Sequence, residues 1–206
     1  MISSVLLDTA IEHFGRHGYE GASTRAIANA SRTAMSSITY HFGGKKGLYL
    51  AAADHIAAGI AERQAAVLQR VREAGAATRE QAIEEVLMLL ESLGRMMLAQ
   101  DTEHWARFII REQQFPTEAF HRIFSGAMQP IAETLIGLIG QIRTDLDSRE
   151  VRATAALMVG QVLILRAGHA AVCRVFEVLE IDRDLADLLI RRLRANARCI
   201  LSEKPE

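Results

Sequence analysis

The chain is poor in the residues that mark several common protein classes. Its 206 residues include only three prolines, two cysteines and 5% aromatic residues, and its formal net charge is −1. Because half of the residues are hydrophobic and few are proline, a mainly disordered chain is excluded. The low aromatic content disfavours β-sheet. A nearly neutral chain can bind nucleic acid only through a local basic patch.

Other absences concern cofactors and location. Cys173 and Cys199 form no Cys-x-x-Cys pair, so we expect neither a disulfide framework nor a metal site. The longest apolar stretch, residues 153–165, contains polar interruptions and is too short to span a bilayer. Asp8 and Glu12 stand where an export signal would be basic and apolar. We therefore expect a soluble cytoplasmic protein with no membrane partner.

Apolar residues recur with helical spacing along nearly the whole chain. The first stripe extends from Leu7 to Phe14 and predicts a helix over about residues 2–17. No segment shows the alternation of a strand, so the predicted fold class is all-α, with about nine helices. The later helices are predicted from Ser23 or Thr24, over 35–42, 45–72, 78–100, 103–113 and 117–143 with a kink or split at Pro130, and from about 147 and 182 onward.

The first three helices are short, separated by brief loops, and together have the size of a helix-turn-helix module. We therefore expect an N-terminal helix-turn-helix domain over residues 1–47. The longer helices that follow predict a larger helical domain over residues 48–206. The first 50 residues carry five Lys and Arg against three Asp and Glu, a small basic excess in the N-terminal part.

A recognisable motif follows the run Ile27–Ser31. It reads Ile38-Thr39-Tyr40-His41-Phe42 and continues Gly43-Gly44-Lys45-Lys46-Gly47-Leu48-Tyr49. Together with the opening Leu6–Phe14 and Gly18-Tyr19, it resembles the DNA-binding domain of the TetR family. The resemblance covers about residues 4–50. It implies a regulator with a helix-turn-helix domain, a helical ligand-binding and dimerisation domain, and double-stranded operator DNA as partner.

Small, polar and cationic side chains on the second and third helices are the predicted DNA contacts. A recognition helix presents such groups to base edges, while hydroxyls and cations bind phosphate. The resemblance departs from the usual pattern at Arg32, Ala34 and Ser36, where the family commonly has Gly, a capping Ser and Gly. The predicted DNA-binding residues are Thr24, Arg25, Met35, Ser36, Ser37, Thr39, Tyr40, His41 and Lys45.

The segment Phe108–Thr117 resembles the C-terminal domain of the CerR-like subgroup of the family, which implies a small-molecule inducer. Apolar and adaptable side chains with a few polar groups are typical of an effector pocket, although the same stripes are also typical of core packing. The predicted ligand-binding residues are Met96, Met97, His104, Trp105, Phe108, Arg111, Met128, Gln129 and His169.

The helix after Ser148 carries two apolar stripes, which predicts burial against its own core and against a partner. One stripe runs from Val151 to Leu165, and the other includes Leu157 and Ile164. The last helix is rich in leucine. Pairing of these two helices with their twofold mates would form a four-helix bundle, so we expect a homodimer.

We therefore expect a ligand-released repressor that is not an enzyme and needs no cofactor. Two alternatives stay open: a DNA-bound scaffold that acts through a protein partner, and a ferritin-like di-metal enzyme. The enzyme alternative depends on two carboxylate-x-x-His spacings, Asp101 with His104 and Glu118 with His121. No Ser/His/Asp set, phosphate loop or zinc pattern is visible.

Overall fold

The computed structural model describes residues 4–203 and, within them, contains helices and no strands. The predicted all-α class is confirmed. The helices, in chain order, are α1 Ser4–Gly21, α2 Thr24–Ala30, α3 Met35–Phe42, α4 Lys45–Ala74, α5 Arg79–Leu98, α6 Glu103–Gln114, α7 Glu118–Ile123, α8 Gln129–Ile142, α9 Ser148–Ala167, α10 His169–Val175 and α11 Arg183–Ser202.

The helices form two compact units. The first contains the residues up to Ala61 together with Asp101–Gln129, and the second contains Glu62–Gln100 and the residues from Pro130 onward. Helix α4 therefore contributes its first part to one unit and its last part to the other. The domain boundary predicted between residues 47 and 48 lies near the start of α4, and it stays a prediction.

The first unit is built on α1, which packs extensively against α6 and also contacts α2. Of the predicted stripe on α1, Ala10, Ile11 and Phe14 are buried and Leu7 is half-buried, while the neighbouring Leu6 is buried. Contrary to the expected end at His17, α1 continues to Gly21 across a break at Gly18, whose φ of 72° is in the left-handed region.

The second unit is centred on α5, which packs against α9 and α11. A capping box begins α5, because Thr78 accepts from the Gln81 amide and the Gln81 side chain accepts from the Thr78 amide. A second capping box of Asp147 and Glu150 begins α9. Two such caps fix the starts of the helices that form most of this core.

The helical run Glu118–Ile142 is continuous, whereas the sequence predicted a kink or split at Pro130. A π-helical segment, Phe124–Met128, replaces the break just before Pro130. Since proline removes a backbone donor, a local change of helical pitch can accommodate it. By length and composition alone this run could cross a membrane, and one third of its most apolar window is buried within the protein.

Helix α9 ends at Ala167, and α10 follows after a sharp bend. Its axis and that of α10 differ by 81°, and Gly168 lies at the bend. A Cβ there would lie 2.5 Å from the Ile164 side chain, so glycine permits the tight turn. The sequence analysis missed α10, which accounts for the difference between about nine predicted helices and ten continuous helical runs in residues 4–203.

Candidate DNA-binding surface and effector core

Helix α3 presents a polar outer face on a single buried anchor. Ile38 is fully buried, whereas Tyr40 is 84% exposed. Among the predicted base-reading groups, Ser36 and Thr39 are exposed and Ser37 is half-buried. The exposed Met35 and His41 complete this face. The arrangement is that of a recognition helix, which is short and held from behind by apolar contacts.

The turn before α3 contains two of the departures from the family pattern, Arg32 and Ala34. Arg32, which stands where the family has glycine, has a φ of 53° in the left-handed region. Ala34 is the N-cap of α3 and makes no side-chain capping bond. Its methyl group leaves an amide donor of the helix without the usual acceptor, a loss of about 1 kcal/mol.

The start of α2 lies beside this turn. The Ser23 hydroxyl accepts from the Ala26 amide at 3.4 Å, so Ser23 is the capping residue and Thr24 is the first helical residue. Thr24 is half-buried and Arg25 is exposed. The structure therefore places both predicted phosphate-binding side chains at the first turn of a helix, where the helix dipole also favours an anion.

Lys45 begins α4 directly after the left-handed Gly43 and Gly44. Its ammonium donates to the Glu20 carbonyl at 2.9 Å and lies 5.0 Å from the centre of the Tyr19 ring. The cation is thus held in place by the end of α1, through one hydrogen bond and one cation–π contact.

Beneath Lys45 is an aromatic cluster made of Phe14, Tyr19, Tyr49 and Phe108. The Tyr49 ring meets the Phe14 and Tyr19 rings edge-on, with ring centres 4.8 and 5.1 Å apart. The Phe108 ring is tilted against it, with centres 4.8 Å apart. Phe108, predicted as a ligand-binding residue, thus belongs to the packing between α1, α4 and α6 in the first unit.

Glu112, the neighbour of the predicted ligand-binding residue Arg111, completes this cluster. The carboxylate is 2% exposed and accepts from the Tyr49 hydroxyl at 2.5 Å. Its other oxygen accepts from the Thr117 amide and hydroxyl and from the Phe120 amide. Burial and the adjacent Glu112 carboxylate raise the pKa of Tyr49. The Arg111 guanidinium instead lies against Gly18, within 2.8 Å of where a Cβ would be.

His104 and Trp105, also predicted ligand-binding residues, lie in the first unit. His104 Nε2 is 3.6 Å from the Asp8 carboxylate, which accepts from His55 Nε2 at 3.2 Å. The buried Trp105 indole packs on the α4 backbone, since a Cβ at Gly59 would lie 2.4 Å from its ring. Met128 is half-buried and Gln129 is exposed at the end of the same unit.

The second unit contains a separate buried polar group around Gln64. The Ser92 hydroxyl donates to Gln64 Oε1 at 2.9 Å, and Gln64 Nε2 donates to Met96 Sδ at 3.7 Å. Glu85 lies two turns before Ser92 on the same face of α5. Its Oε2 atom has no hydrogen-bond partner among residues 4–203, and burial raises the pKa of this carboxyl. Of the predicted ligand-binding residues, Met96 contacts this group.

The remaining predicted ligand-binding residues are dispersed. Met97 is half-buried on α5. His169 lies at the start of α10, with Nδ1 3.7 Å from the Cys173 sulfur. A shallow surface cavity of about 390 Å³ is lined by Cys173, Arg174, Glu177, Val178 and Leu179. The predicted set is therefore divided between the two units.

The outer face of the second unit is apolar along α9 and beyond. Leu157 is 73% exposed and Ile164 is 51% exposed, while the other predicted stripe of α9 is buried, including Val162. Large apolar side chains are also exposed after α9, on α10, in the following loop and on α11: Val175, Phe176, Val178, Leu179 and Leu188. We call these residues, with Leu157 and Ile164, the outer apolar face. Exposed large apolar side chains of this kind make the outer apolar face a candidate interaction surface.

The structure also bears on the carboxylate-x-x-His spacings. In the part of the chain that the structure describes, no group of three or more His, Cys, Asp or Glu side chains is placed to hold a metal ion. Asp101 and His104 lie at the start of α6, and Glu118 instead forms ion pairs with Arg122 and Lys46.

Two family models together match nearly the whole chain. The model described as "Bacterial regulatory proteins, tetR family" matches residues 6–52. The model described as "HTH-type transcriptional dual regulator CecR, C-terminal domain" matches residues 80–203.

Known relatives agree with both matches. The HTH-type transcriptional dual regulator CecR of Shigella flexneri is 32% identical over 173 residues, which cover 81% of this chain and 76% of the relative. The HTH-type transcriptional repressor AcnR of Corynebacterium glutamicum is 42% identical over 57 residues, which cover 28% of this chain and 30% of AcnR.

Solved structures share the fold at low sequence identity. AibR in complex with isovaleryl coenzyme A and operator DNA superposes with a TM-score of 0.67 at 17% identity, covering 93% of this chain and 95% of AibR. FadR from Bacillus subtilis in complex with stearoyl-CoA superposes with a TM-score of 0.63 at 16% identity, covering 98% of each chain.

Proposed function

Because the chain belongs to the TetR family of transcriptional regulators, we propose that it is a ligand-responsive repressor. It binds a palindromic operator as a homodimer in the cytoplasm, and a small-molecule inducer releases it. It has no catalytic role in this proposal. The observation that carries the proposal is the exposed polar face of α3 on a buried apolar support.

DNA recognition is divided between base-reading and phosphate-binding groups. Ser36, Ser37 and Thr39 are short enough to let α3 enter the major groove and hydrogen-bond to base edges. In this proposal Tyr40 and Lys45, at the end of α3 and the start of α4, bind phosphates beside the groove. AcnR, which is similar over 57 residues, is named as a repressor, which supports the same role here.

Dimerisation is supported by the outer apolar face. Two recognition helices must be held roughly 34–36 Å apart, or a related spacing, to read two half-sites in successive turns of the major groove. The exposed Leu157 and Ile164 of α9 give the second unit an apolar surface that a second copy would cover. Two copies paired through this face would be related by a twofold axis, and the two recognition helices would then match the two halves of a palindromic operator.

The effector site is proposed in the second unit, around Gln64. An effector site needs a few buried polar groups in apolar surroundings, and Gln64, Ser92 and Glu85 supply them there. FadR and AibR are each described in complex with an acyl-coenzyme A, which makes acyl-CoA thioesters the first effector class to test. An effector releases DNA only if it binds the DNA-incompetent conformation more tightly.

The decisive experiment begins with DNA. Duplexes enriched by the purified protein from a random library identify the operator, and we expect a palindrome. Affinity for that duplex is then measured with and without saturating isovaleryl-CoA and stearoyl-CoA. We expect a 5- to 150-fold loss, the usual range of allosteric coupling. If no duplex is enriched, the proposal is wrong. If an acyl-CoA binds and leaves DNA affinity unchanged, induction by that class is wrong and the scaffold alternative is favoured.

A further inference from the structure

Glu112 joins two helices through a single buried carboxylate. One oxygen accepts from the Tyr49 hydroxyl of α4, at 2.5 Å. The other oxygen accepts from the Thr117 hydroxyl at 2.8 Å and from the Thr117 and Phe120 amides at 3.1 and 3.0 Å. These amides are free donors at the first turn of α7, so the carboxylate caps α7 from outside that helix.

A full set of donors around a buried carboxylate makes its position well defined. A charged group that accepts several hydrogen bonds forms short, strong bonds, and losing one donor leaves the remaining charge poorly solvated. The other links between these two helices, Lys46 with Glu118 and Arg122 with Asp54, are largely exposed. Exposed ion pairs contribute little, so among these three polar links we expect the buried Tyr49 bond to Glu112 to contribute most.

From Tyr49 a chain of direct contacts leads to the predicted phosphate-binding cation. The Tyr49 ring packs edge-on against the Tyr19 ring at 5.1 Å, and the Lys45 ammonium lies 5.0 Å from the centre of the Tyr19 ring. Lys45 and Tyr49 are also four residues apart on the first turn of α4, so they are neighbours on one helix face. Fixing Tyr49 therefore fixes the turn that carries Lys45.

We propose that Glu112 is a positioning residue for DNA binding: through Tyr49 it holds the first turn of α4 where Lys45 can reach an operator phosphate. This inference rests on the proposed function. It assigns a DNA-binding role to a carboxylate of α6, which would itself repel phosphate and is buried away from it. Glu112 contributes through the helix that it holds.

The test uses the full chain and the variant Tyr49→Phe, which keeps the packed ring and removes the hydroxyl. The matched control is Tyr19→Phe, the same chemical change in the same cluster without a hydrogen bond to Glu112. Probes are the duplex that the unmodified protein enriches and a scrambled duplex, each of about 40 base pairs so that two half-sites fit. The variant Glu112→Gln gives a second perturbation, since its amide can accept only on one side.

We expect Tyr49→Phe and Glu112→Gln to weaken binding to both duplexes about 10-fold, within the usual range of coupling energies. The slope of the logarithm of the binding constant against the logarithm of salt concentration should fall in magnitude by about one, as expected for one lost phosphate contact. In a Lys45→Ala background, Tyr49→Phe should have no further effect on affinity. Tyr19→Phe should leave the slope unchanged. A general loss of folded protein would lower apparent affinity without changing the slope.

Two results would overturn the proposal: an unchanged salt slope in Tyr49→Phe, or an additive loss when Tyr49→Phe is combined with Lys45→Ala. Amide hydrogen exchange of the DNA-free protein provides an independent measure, because Tyr49→Phe should speed exchange in residues 45–49 and leave α9 and α11 unchanged. If the unmodified protein binds neither duplex, the proposed function is wrong. The role of Glu112 in DNA binding is then overturned as well, and exchange in residues 45–49 reports only whether Glu112 holds the first turn of α4.

Discussion

A charge placed on the outer apolar face should separate the proposed dimer without unfolding the protomer. Leu157 is the most exposed large apolar residue of α9, with a fractional exposure of 73%. The substitution Leu157→Glu therefore removes little packing within its own chain. Burying a leucine stabilises an interface by about 1.5–3 kcal/mol, and a twofold interface contains the residue twice. The lost contact alone is then worth roughly 3–6 kcal/mol, and burying a glutamate without a partner adds to it. The dimer dissociation constant should rise at least about 100-fold.

Sedimentation velocity across a concentration series measures this directly, because the protomer mass is 22.7 kDa and the dimer has twice that mass. The control is Val5→Glu, which introduces the same charge at an exposed apolar residue of the first unit. We expect Leu157→Glu to sediment as a monomer with unchanged helicity, and Val5→Glu to behave like the unmodified protein. The reasoning is refuted if the unmodified protein is a monomer at micromolar concentration, or if Leu157→Glu dimerises with unchanged affinity.

Three further predictions follow from local geometry. Lys45→Ala should weaken binding similarly on operator and scrambled duplexes and lower the salt slope by about one, measured by fluorescence anisotropy; a loss confined to the operator would contradict it. Ala34→Ser supplies the missing N-cap of α3 and should stabilise the protein by about 1 kcal/mol, seen as a Tm higher by about 2–4 °C; an unchanged Tm would contradict it. The Arg143 guanidinium holds the pKa of Asp145 below its usual value, so this pair stabilises the fold above the unfolded pKa and loses that effect as pH falls through the lower folded pKa. The Tm difference between the unmodified protein and Asp145→Asn should therefore shrink as pH is lowered below about 4, and a difference independent of pH would contradict the pairing.

The sequence predicted the second and third helices of the N-terminal module closely. Its helix α3 begins and ends where expected, and the cap that Ala34 was expected to lack is absent. The predicted resemblance to the TetR family is confirmed. The C-terminal subgroup, predicted under the name CerR-like, corresponds to the CecR C-terminal model. These features are local, because caps, turn residues and short apolar stripes act within a few positions of one another.

The effector residues could not be selected in the same way. Helical spacing shows that a residue faces inward, but it does not show which partner it meets. Phe108 and Trp105 were predicted as pocket walls by size and character, and the structure packs them against Tyr49 and Gly59 in the first unit. Gln64, which the sequence analysis did not consider, is buried because Ser92 and Met96 lie opposite it.

The hydrogen bond between Glu112 and Tyr49 could not be predicted from the sequence, although both residue types are informative. Glu112 and Tyr49 are 63 residues apart, and neither position alone distinguishes a solvated glutamate or a packed tyrosine from a hydrogen-bonded pair. A signal was nevertheless present: Thr117 is an N-cap, Pro116 precedes it, and an acidic side chain a few residues earlier can reach the free amides of α7. That local rule predicts a capping role for Glu112. The rule cannot predict the other donor to the carboxylate, the Tyr49 hydroxyl of α4. Tyr49 reaches Glu112 because its ring packs against Phe14 and Phe108, which are distant in sequence. The proposed role of Glu112 therefore depends on both contacts together: the same carboxylate caps α7 locally and binds Tyr49 of the distant helix α4.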